Sequence, residues 1–303
     1  MNSTRSHKNR MGSKSTWYHK ATGTAFILGL FTLLSACDVL DPEEQIPAYM
    51  EIDGFTLTVN PVTDGSASSK ITDAWVYSDG ELIGVFELPC KFPVLQEGFH
   101  NIIIKPGIKV NGISGSRGYY PFYVPFEQRI ELIAGQSVKV TPGISYYPGK
   151  VQFNEAFEDG GIAFVSFGDS DTNIVKTSDP SLVFEGSYSG VMNLNTTDDY
   201  FLITTADAYD LPKTGTPVFL EMNYKADLPL IVGLIAQISG ENQKKEVMIL
   251  NANSEWNKIY INLTGVTSSN QSASNFKLYF EVYGDSATSS AKVLLDNVKL
   301  VYN

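Results

Sequence analysis

The side chains that could carry catalysis are few and scattered. His100 is the only histidine after residue 36, and Cys90 lies in an apolar strand end where a cysteine usually acts as a small hydrophobe. The sequence contains no Gly-x-Ser-x-Gly, His-Glu-x-x-His or phosphate-binding glycine motif. Carboxylates are abundant, and their spacing singles out no pair for glycoside hydrolysis. The sequence therefore predicts that the protein is not an enzyme.

One segment is rich in the residue types that bind other proteins. Residues 116–126, SRGYYPFYVPF, combine aromatic side chains and two prolines with one arginine. Interface cores favour Tyr, Phe and Arg, and a stretch interrupted by proline does not form a central strand. Two interpretations stay open: a loop buried over the core, or an exposed protein-docking patch. The docking patch would consist of Arg117, Tyr119, Tyr120, Phe122 and Tyr123.

The segments that position these residues alternate with period two. Residues 74–89 form two apolar runs around Ser78-Asp79-Gly80, which predicts a β-hairpin. In residues 275–284 the apolar and polar positions alternate along the whole run. The pattern predicts an all-β protein made of two antiparallel β-sandwich domains. A break at residues 145–150 separates a small sandwich, residues 48–147, from a jelly-roll sandwich, residues 151–303.

The N-terminal residues indicate export. Residues 1–36 contain five basic residues and no acid, and end in an apolar tract shorter than the roughly 20 residues of a membrane-spanning helix. Leu34-Ser35-Ala36-Cys37 resembles the bacterial lipoprotein box. This resemblance implies that residues 1–36 are a signal peptide and that Cys37 carries a covalent lipid such as palmitate. More than one acyl chain would hold the protein stably at the membrane.

Residues 37–47 form an acidic, proline-containing tether. The acids after Cys37 resemble a surface-export signal of Bacteroidota lipoproteins, although a solvated linker explains them too. The resemblance implies an outer-membrane protein at the cell surface. Without the five basic residues of the leader, the formal net charge falls from −11 to −16, which disfavours nucleic acid as a partner.

The second sandwich resembles a known family. Residues 157–160, FEDG, and residues 294–300, LLDNVKL, resemble the first and last strands of carbohydrate-binding-module jelly rolls with a galactose-binding-like fold. The resemblance implies a structural calcium with Glu158 and Asp296 as ligands, since calcium prefers several oxygen ligands. The alternative is that Asp296 caps a turn through hydrogen bonds. Asp169 and Asp171 form a weaker candidate metal site.

Glycan binding by this sandwich depends on an aromatic platform. Trp256 occupies what resembles the family's core position, so the platform would come from tyrosines. Tyrosines on a sheet are often cross-strand packing instead, and both interpretations stay open. The candidate platform residues are Tyr188, Tyr200, Tyr209, Tyr279 and Tyr283.

The first sandwich, with its hairpin and the strand KPGIK at residues 105–109, resembles small transthyretin-like or PEGA-like domains of bacterial envelope lipoproteins. Such domains serve as spacers and docking modules. Together these features predict a non-catalytic, lipid-anchored outer-membrane lipoprotein that binds proteins as an accessory subunit of an envelope assembly, secretion or uptake complex. The alternative is a surface lipoprotein that binds glycans through the second sandwich. Asp285-Ser286-Ala287 resembles the Bacteroidota O-glycosylation pattern, with Ser286 as the acceptor.

Overall fold

The computed structural model describes residues 44–284 and 290–303, and these residues are almost entirely β-strand and loop. The all-β prediction is therefore confirmed. The first eleven strands are β1 (Ala48–Ile52), β2 (Thr56–Thr58), β3 (Asp73–Ser78), β4 (Glu81–Glu87), β5 (Cys90–Val94), β6 (Gly98–Lys109), β7 (Arg117–Tyr119), β8 (Tyr123–Val124), β9 (Phe126–Leu132), β10 (Ser137–Val140) and β11 (Gly143–Tyr146).

These eleven strands form three sheets with the orders β10-β1-β5, β2-β11-β8 and β4-β3-β6-β7, and β9 also pairs with β6. Two pairings, β1 with β10 and β2 with β11, are parallel, and the other pairings of these strands are antiparallel. The hairpin between β3 and β4 turns at Asp79 and Gly80, both with positive φ, as the Asp-Gly sequence predicts. Met50, Val76, Ile102 and Ile104 lie in the core between the sheets.

The second half contains β12 (Val151–Glu155), β13 (Phe164–Ser166), β14 (Val175–Thr177), β15 (Ser189–Leu194), β16 (Tyr200–Thr205), β17 (Val218–Ala226), β18 (Leu230–Ile238), β19 (Glu241–Leu250), β20 (Asn253–Asn262), α1 (Thr264–Ser269), β21 (Asn275–Tyr283) and β22 (Ala291–Tyr302). One sheet has the order β14-β15-β22-β17-β20, with β12 on β22, and the other has the order β13-β16-β21-β18-β19. Their facing sides enclose the largest apolar core of the described residues. This is a two-layer antiparallel sandwich.

A third apolar cluster joins the two halves. Tyr120, Phe122 and Tyr123 from the first half pack against Phe219 and Tyr260 from the second. Residues 47–303 accordingly form one compact unit. Among the described residues, no helix has the length and apolar character that crossing a bilayer requires.

Candidate functional site

The outer face of the five-stranded sheet of the second sandwich gathers tyrosines around one carboxylate. In β21 the apolar positions Phe276, Leu278, Phe280 and Val282 point into the core, as the alternation predicts. The intervening positions therefore lie on the opposite face of the sheet. Here Tyr279, Glu281 and Tyr283 meet Tyr200 of β16 and Lys244 of β19. These five residues are called the Glu281 cluster below.

Glu281 is the centre of the cluster, and only 2% of its side chain is exposed. Its Oε1 accepts hydrogen bonds from the Tyr200 hydroxyl at 2.9 Å, the Tyr283 hydroxyl at 2.7 Å and Lys244 Nζ at 2.5 Å. Burial opposes ionisation of Glu281, but the hydrogen bonds from Lys244, Tyr283 and Tyr200 outweigh it and lower the pKa of the carboxyl. Glu281 therefore stays charged and fixes the orientation of its neighbours at neutral pH.

Two tyrosine rings of the cluster reach the surface. The rings of Tyr200 and Tyr283 lie 4.9 Å apart between centroids at an interplanar angle of 33°, and Tyr283 is 57% exposed. Desolvation and the Glu281 carboxylate raise the pKa of the Tyr200 hydroxyl, so it remains protonated. The pair thus presents aromatic surface whose hydroxyl ends are held by a charged acceptor.

Beneath this surface lie polar atoms without partners. Among the described residues, the Tyr279 hydroxyl and the Thr204 Oγ1 are buried and make no hydrogen bond. Tyr279 and Thr204 are cross-strand neighbours, and the Tyr279 ring lies over Gly233, where an added Cβ would be 2.4 Å from a ring atom. A buried hydroxyl without a partner costs free energy, and both of these hydroxyls are covered by the surrounding residues.

The other predicted platform tyrosines lie elsewhere. Tyr188 is 40% exposed, and the Lys176 ammonium group lies over its ring, away from the Glu281 cluster. Tyr209 is partly buried against Phe153, and desolvation raises the pKa of its hydroxyl to about 12. Trp256 packs on Phe184 and is only partly exposed. Of the five candidate tyrosines, the structure brings together Tyr200, Tyr279 and Tyr283.

The two predicted calcium ligands contact one loop. Glu158 Oε1 accepts the backbone N–H groups of Ser187 at 2.8 Å and Tyr188 at 3.0 Å. Asp296 is buried, and its carboxylate accepts the Ser189 hydroxyl at 2.6 Å and the Asn297 N–H at 2.8 Å. These are hydrogen bonds of the kind expected if Asp296 stabilises a turn.

Calcium stays a prediction for this place. Burial, together with the nearby Glu185 carboxylate, raises the pKa of Asp296 to about 7, and the Asn297 Oδ1 is buried without a hydrogen-bond partner. Oxygen donors of this type fit calcium. Within residues 44–284 and 290–303, however, no three His, Cys, Asp or Glu side chains are grouped as metal ligands. At the weaker candidate site, Asp171 accepts the backbone N–H of Tyr200 at 3.2 Å.

The predicted docking segment divides into exposed and buried residues. Arg117 forms ion pairs with Asp73 and, at 3.1 Å, with Glu87, and Tyr119 is 48% exposed. Tyr120, Phe122 and Tyr123 are each at most 2% exposed, so these three cannot take part in an exposed patch. They pack where the two halves meet, because β17 and β20 of the second sandwich cover them. The buried alternative therefore describes three of the five residues.

Sequence reasoning missed the charge that holds this junction. Glu221 of β17 is fully buried and accepts hydrogen bonds from the Tyr120 hydroxyl at 2.7 Å and the Tyr146 hydroxyl at 2.9 Å. Lys258 Nζ lies 3.1 Å from its Oε2. Burial opposes ionisation of Glu221, but Lys258 and Lys299 outweigh it and lower the pKa of the carboxyl. The only sign of this in the sequence is that Glu221 lies within a run of apolar residues, VFLEM, where a buried acid needs a partner.

The lipidation residue Cys37, the glycosylation candidate Ser286 and the signal peptide lie outside the described residues. Cys90 is a partly buried free thiol, and burial raises its pKa, which disfavours a reactive thiolate.

Roughly half of the chain resembles solved β-sandwiches of carbohydrate-binding modules at low identity. The module TmCBM61, in complex with beta-1,4-galactotriose, is 16% identical over 51% of this chain and 99% of its own, with a TM-score of 0.36. The CBM22-1 xylan-binding domain from Paenibacillus barcinonensis is 15% identical over 51% of this chain and 95% of its own, with a TM-score of 0.37.

The family 11 module from Clostridium thermocellum, in complex with a beta-1,3-1,4-mixed-linked tetrasaccharide, is 14% identical over 50% of this chain and 95% of its own, with a TM-score of 0.34. These likenesses concern the arrangement of strands, and what each module binds is a property of that module. No protein-family model matches the sequence, and no curated protein is significantly similar to it.

Proposed function

We propose that this protein is a non-catalytic glycan-binding protein and that the Glu281 cluster on the second sandwich is its binding site. The observation that carries the proposal is the exposed Tyr283 ring beside Tyr200, with both hydroxyls bonded to Glu281. Sugar rings have apolar C–H faces that pack on aromatic rings and hydroxyl groups that need hydrogen-bond partners. The cluster offers both on one sheet face.

Each polar group of the cluster has a distinct part in this proposal. Lys244 keeps 41% of its side chain exposed and has further N–H donors for sugar oxygens. The hydroxyls of Tyr200 and Tyr283 donate to Glu281, so their oxygens remain free to accept hydrogen bonds from sugar hydroxyls. Because Glu281 and Lys244 neutralise each other, we expect neutral glycans to bind better than charged ones.

Isothermal titration with soluble neutral oligosaccharides, following a glycan-array screen, tests the proposal. The change Tyr283→Ala removes the most exposed ring and should weaken binding about tenfold or more. Glu281→Gln keeps the shape but loses the charge that orients the tyrosines, and it should weaken binding as well. Tyr188→Ala is the matched control, because Tyr188 is an exposed tyrosine of the same sandwich away from the cluster.

Two results would contradict the proposal. One is an array on which no glycan binds, and the other is binding that Tyr283→Ala leaves unchanged while Tyr188→Ala abolishes it. Release of reducing sugar from a bound glycan would contradict the non-catalytic part of the proposal.

We further propose that the protein works as an outer-membrane lipoprotein at the cell surface. The support is the lipoprotein box at residues 34–37 and the acids that follow it. The change Cys37→Ser should release the protein from the membrane fraction of the cells that produce it. Externally added protease shows which side of the outer membrane the unmodified, membrane-bound protein faces. Full protection of this protein in intact cells would refute surface display.

Protein binding by the first sandwich is a second candidate function. One specific observation favours it: Tyr119 and Arg117 remain accessible on the outer face of the β4-β3-β6-β7 sheet, beside Trp75. An accessory role in an envelope complex would use this face. Co-purification from detergent-solubilised membranes, with Tyr119→Ala as the comparison, tests it.

A further inference from the structure

A small cleft on the first sandwich lies between aromatic and proline side chains. Its volume is about 90 Å³. It therefore suits a single side chain better than a whole small-molecule ligand, whose pockets are several times larger. The lining residues are Lys105, Tyr119, Tyr120, Pro121, Tyr123, Pro125 and Tyr147.

The accessible ring surface of the cleft belongs to Tyr119 and Tyr147, and the buried tyrosines behind them offer no free polar groups. The Tyr120 hydroxyl donates to Glu221 at 2.7 Å, and the Tyr123 hydroxyl is 3.2 Å from the Tyr260 hydroxyl. Both hydroxyls thus point into the junction between the halves and not into the cleft. A sugar placed here would leave hydroxyl groups unpaired, which is costly. An apolar ring such as that of proline has no such requirement.

Tyr119 and Tyr147 form the accessible rim, with 48% and 40% exposure. Grooves lined by aromatic rings bind extended proline-containing peptides, because the polyproline II conformation is preformed and loses little entropy on binding. The inner walls are rigid, since Tyr120 and Tyr123 are held by the buried hydrogen bonds just described. A rigid site lowers the entropic cost of binding further.

One cation, Lys105, lines the cleft. The Lys105 ammonium group lies 4.8 Å from the ring centroids of both Tyr77 and Tyr119, so two rings fix its position. In the described part of the chain, Lys105 forms no ion pair, whereas Arg117 on the same face is paired with Asp73 and Glu87. A positioned cation without a counter-ion is complementary to a carboxylate of a partner.

We propose that this cleft binds an acidic, proline-containing extended segment of another protein. The proline ring packs between Tyr119 and Tyr147, and an acidic side chain nearby pairs with Lys105. The site is separate from the Glu281 cluster, so it does not depend on glycan binding by the second sandwich.

Two fluorescently labelled synthetic peptides of equal length, both capped at their ends, test the proposal. The acidic peptide is PPEPPEPP and the basic peptide is PPKPPKPP. Fluorescence anisotropy with the full chain in detergent should show binding of the acidic peptide and at least tenfold weaker binding of the basic one. Lys105→Glu should reverse this preference. Lys105→Met keeps the apolar stem of the side chain and should abolish the preference without reversing it.

Tyr119→Ala and Tyr147→Ala should each weaken binding of the acidic peptide about tenfold. Tyr188→Ala is the control, because it removes an exposed tyrosine of the other sandwich that belongs to neither proposed site, and it should leave peptide binding unchanged. The proposal is overturned if neither peptide binds, if Lys105→Glu leaves the preference unchanged, or if Tyr188→Ala has the effect expected of Tyr119→Ala. Displacement of the acidic peptide by neutral oligosaccharides would also overturn it, since it would make the cleft a sugar site.

Discussion

Replacing Glu221 by Gln should destabilise the whole unit and not only one sandwich. Glu221 is fully buried, and the change would leave Lys258, with 4% of its side chain exposed, without its carboxylate partner. Lys299 is a second buried cation nearby, and its Nζ donates to the Ser66 carbonyl at 2.6 Å. Removing one partner of a buried ion pair typically costs about 3–5 kcal/mol. We expect a loss in that range.

A milder variant calibrates this expectation. Tyr120→Phe removes one hydrogen bond to Glu221 and keeps the ring that fills the junction. A hydrogen bond to a charged group contributes about 1.5–3 kcal/mol, so Tyr120→Phe should cost less than Glu221→Gln. The order of the two effects follows because Glu221→Gln removes the charge that faces two buried lysines, whereas Tyr120→Phe removes one hydrogen bond and leaves that charge in place.

Urea unfolding can follow the two halves separately. Trp75 lies in β3 of the first sandwich and Trp256 in β20 of the second, so single-tryptophan variants of residues 37–303 report each half by fluorescence. If the junction couples the halves, both tryptophans should report the same transition. With a urea dependence of about 3 kcal/mol per molar, Glu221→Gln should lower the midpoint by about 1–2 M.

Either of two results would contradict this expectation. The first is that Trp75 and Trp256 report clearly separate transitions in the unmodified chain, which would mean that the halves unfold independently. The second is that Glu221→Gln costs less than about 1 kcal/mol, which would mean that the buried lysines find other partners.

Three further predictions concern single sites. Burial raises the pKa of Asp296 from 3.8 to about 7, so its contribution to the free energy of unfolding is fully present below pH 4 and is lost as pH rises through 7, by up to about 4 kcal/mol. The change Asp296→Asn should therefore flatten the dependence of stability on pH over this range. An unchanged dependence would refute the assignment to Asp296. If calcium binds, it should raise the melting temperature more at pH 7 than at pH 5, and Glu158→Gln should reduce this increase. Equal melting temperatures in calcium and after prolonged EDTA treatment would refute the calcium site. The change Gly233→Ala should displace the Tyr279 ring and lower the free energy of unfolding by about 1–3 kcal/mol. The change Gly265→Ala should be tolerated, because no atom lies within 4 Å of the added Cβ. Equal melting temperatures for the two variants would contradict the close packing at Gly233.

The fold was predictable where the determinants are local. The alternation of residues 275–284 predicts which side of β21 enters the core, and Asp79-Gly80 predicts the β3–β4 turn. Strand partners were not predictable, because β17 pairs with β22 across more than 60 intervening residues. The same limit applies to Tyr120: its neighbours suggest an aromatic patch, but the acid and the rings that bury it come from the second sandwich.

The Glu281 cluster was predictable only in part, for a related reason. Tyr200, Tyr279 and Tyr283 are conspicuous as aromatic residues on alternating strands, and period two places Glu281 on the same face as Tyr279 and Tyr283. That Lys244 faces them depends on the pairing of β18 with both β19 and β21. The orphan hydroxyl of Thr204 depends on the pairing of β16 with β21. These features arise from sheet register, which no local pattern specifies.

The same combination of side chains occurs twice in the described residues, and its two occurrences differ in how exposed they are to solvent. A carboxylate, two tyrosine hydroxyls and a lysine meet at Glu221, and again at Glu281. At Glu221 the lysine side chain is 4% exposed and every ring is covered, so the set can only hold the two halves together. At Glu281 the lysine is 41% exposed and Tyr283 is 57% exposed, so the rings and donors can be reached by a ligand.

This contrast gives a direct comparison between two variants. Tyr120→Phe should lower stability and leave glycan binding unchanged, because the Tyr120 hydroxyl bonds only to the buried Glu221. Tyr283→Ala should weaken glycan binding and cost less stability than Tyr120→Phe, because Tyr283 is 57% exposed and water can replace its lost hydrogen bond to Glu281. If both variants lower stability equally and neither changes binding, the open cluster is as structural as the closed one, and the proposed binding site is refuted.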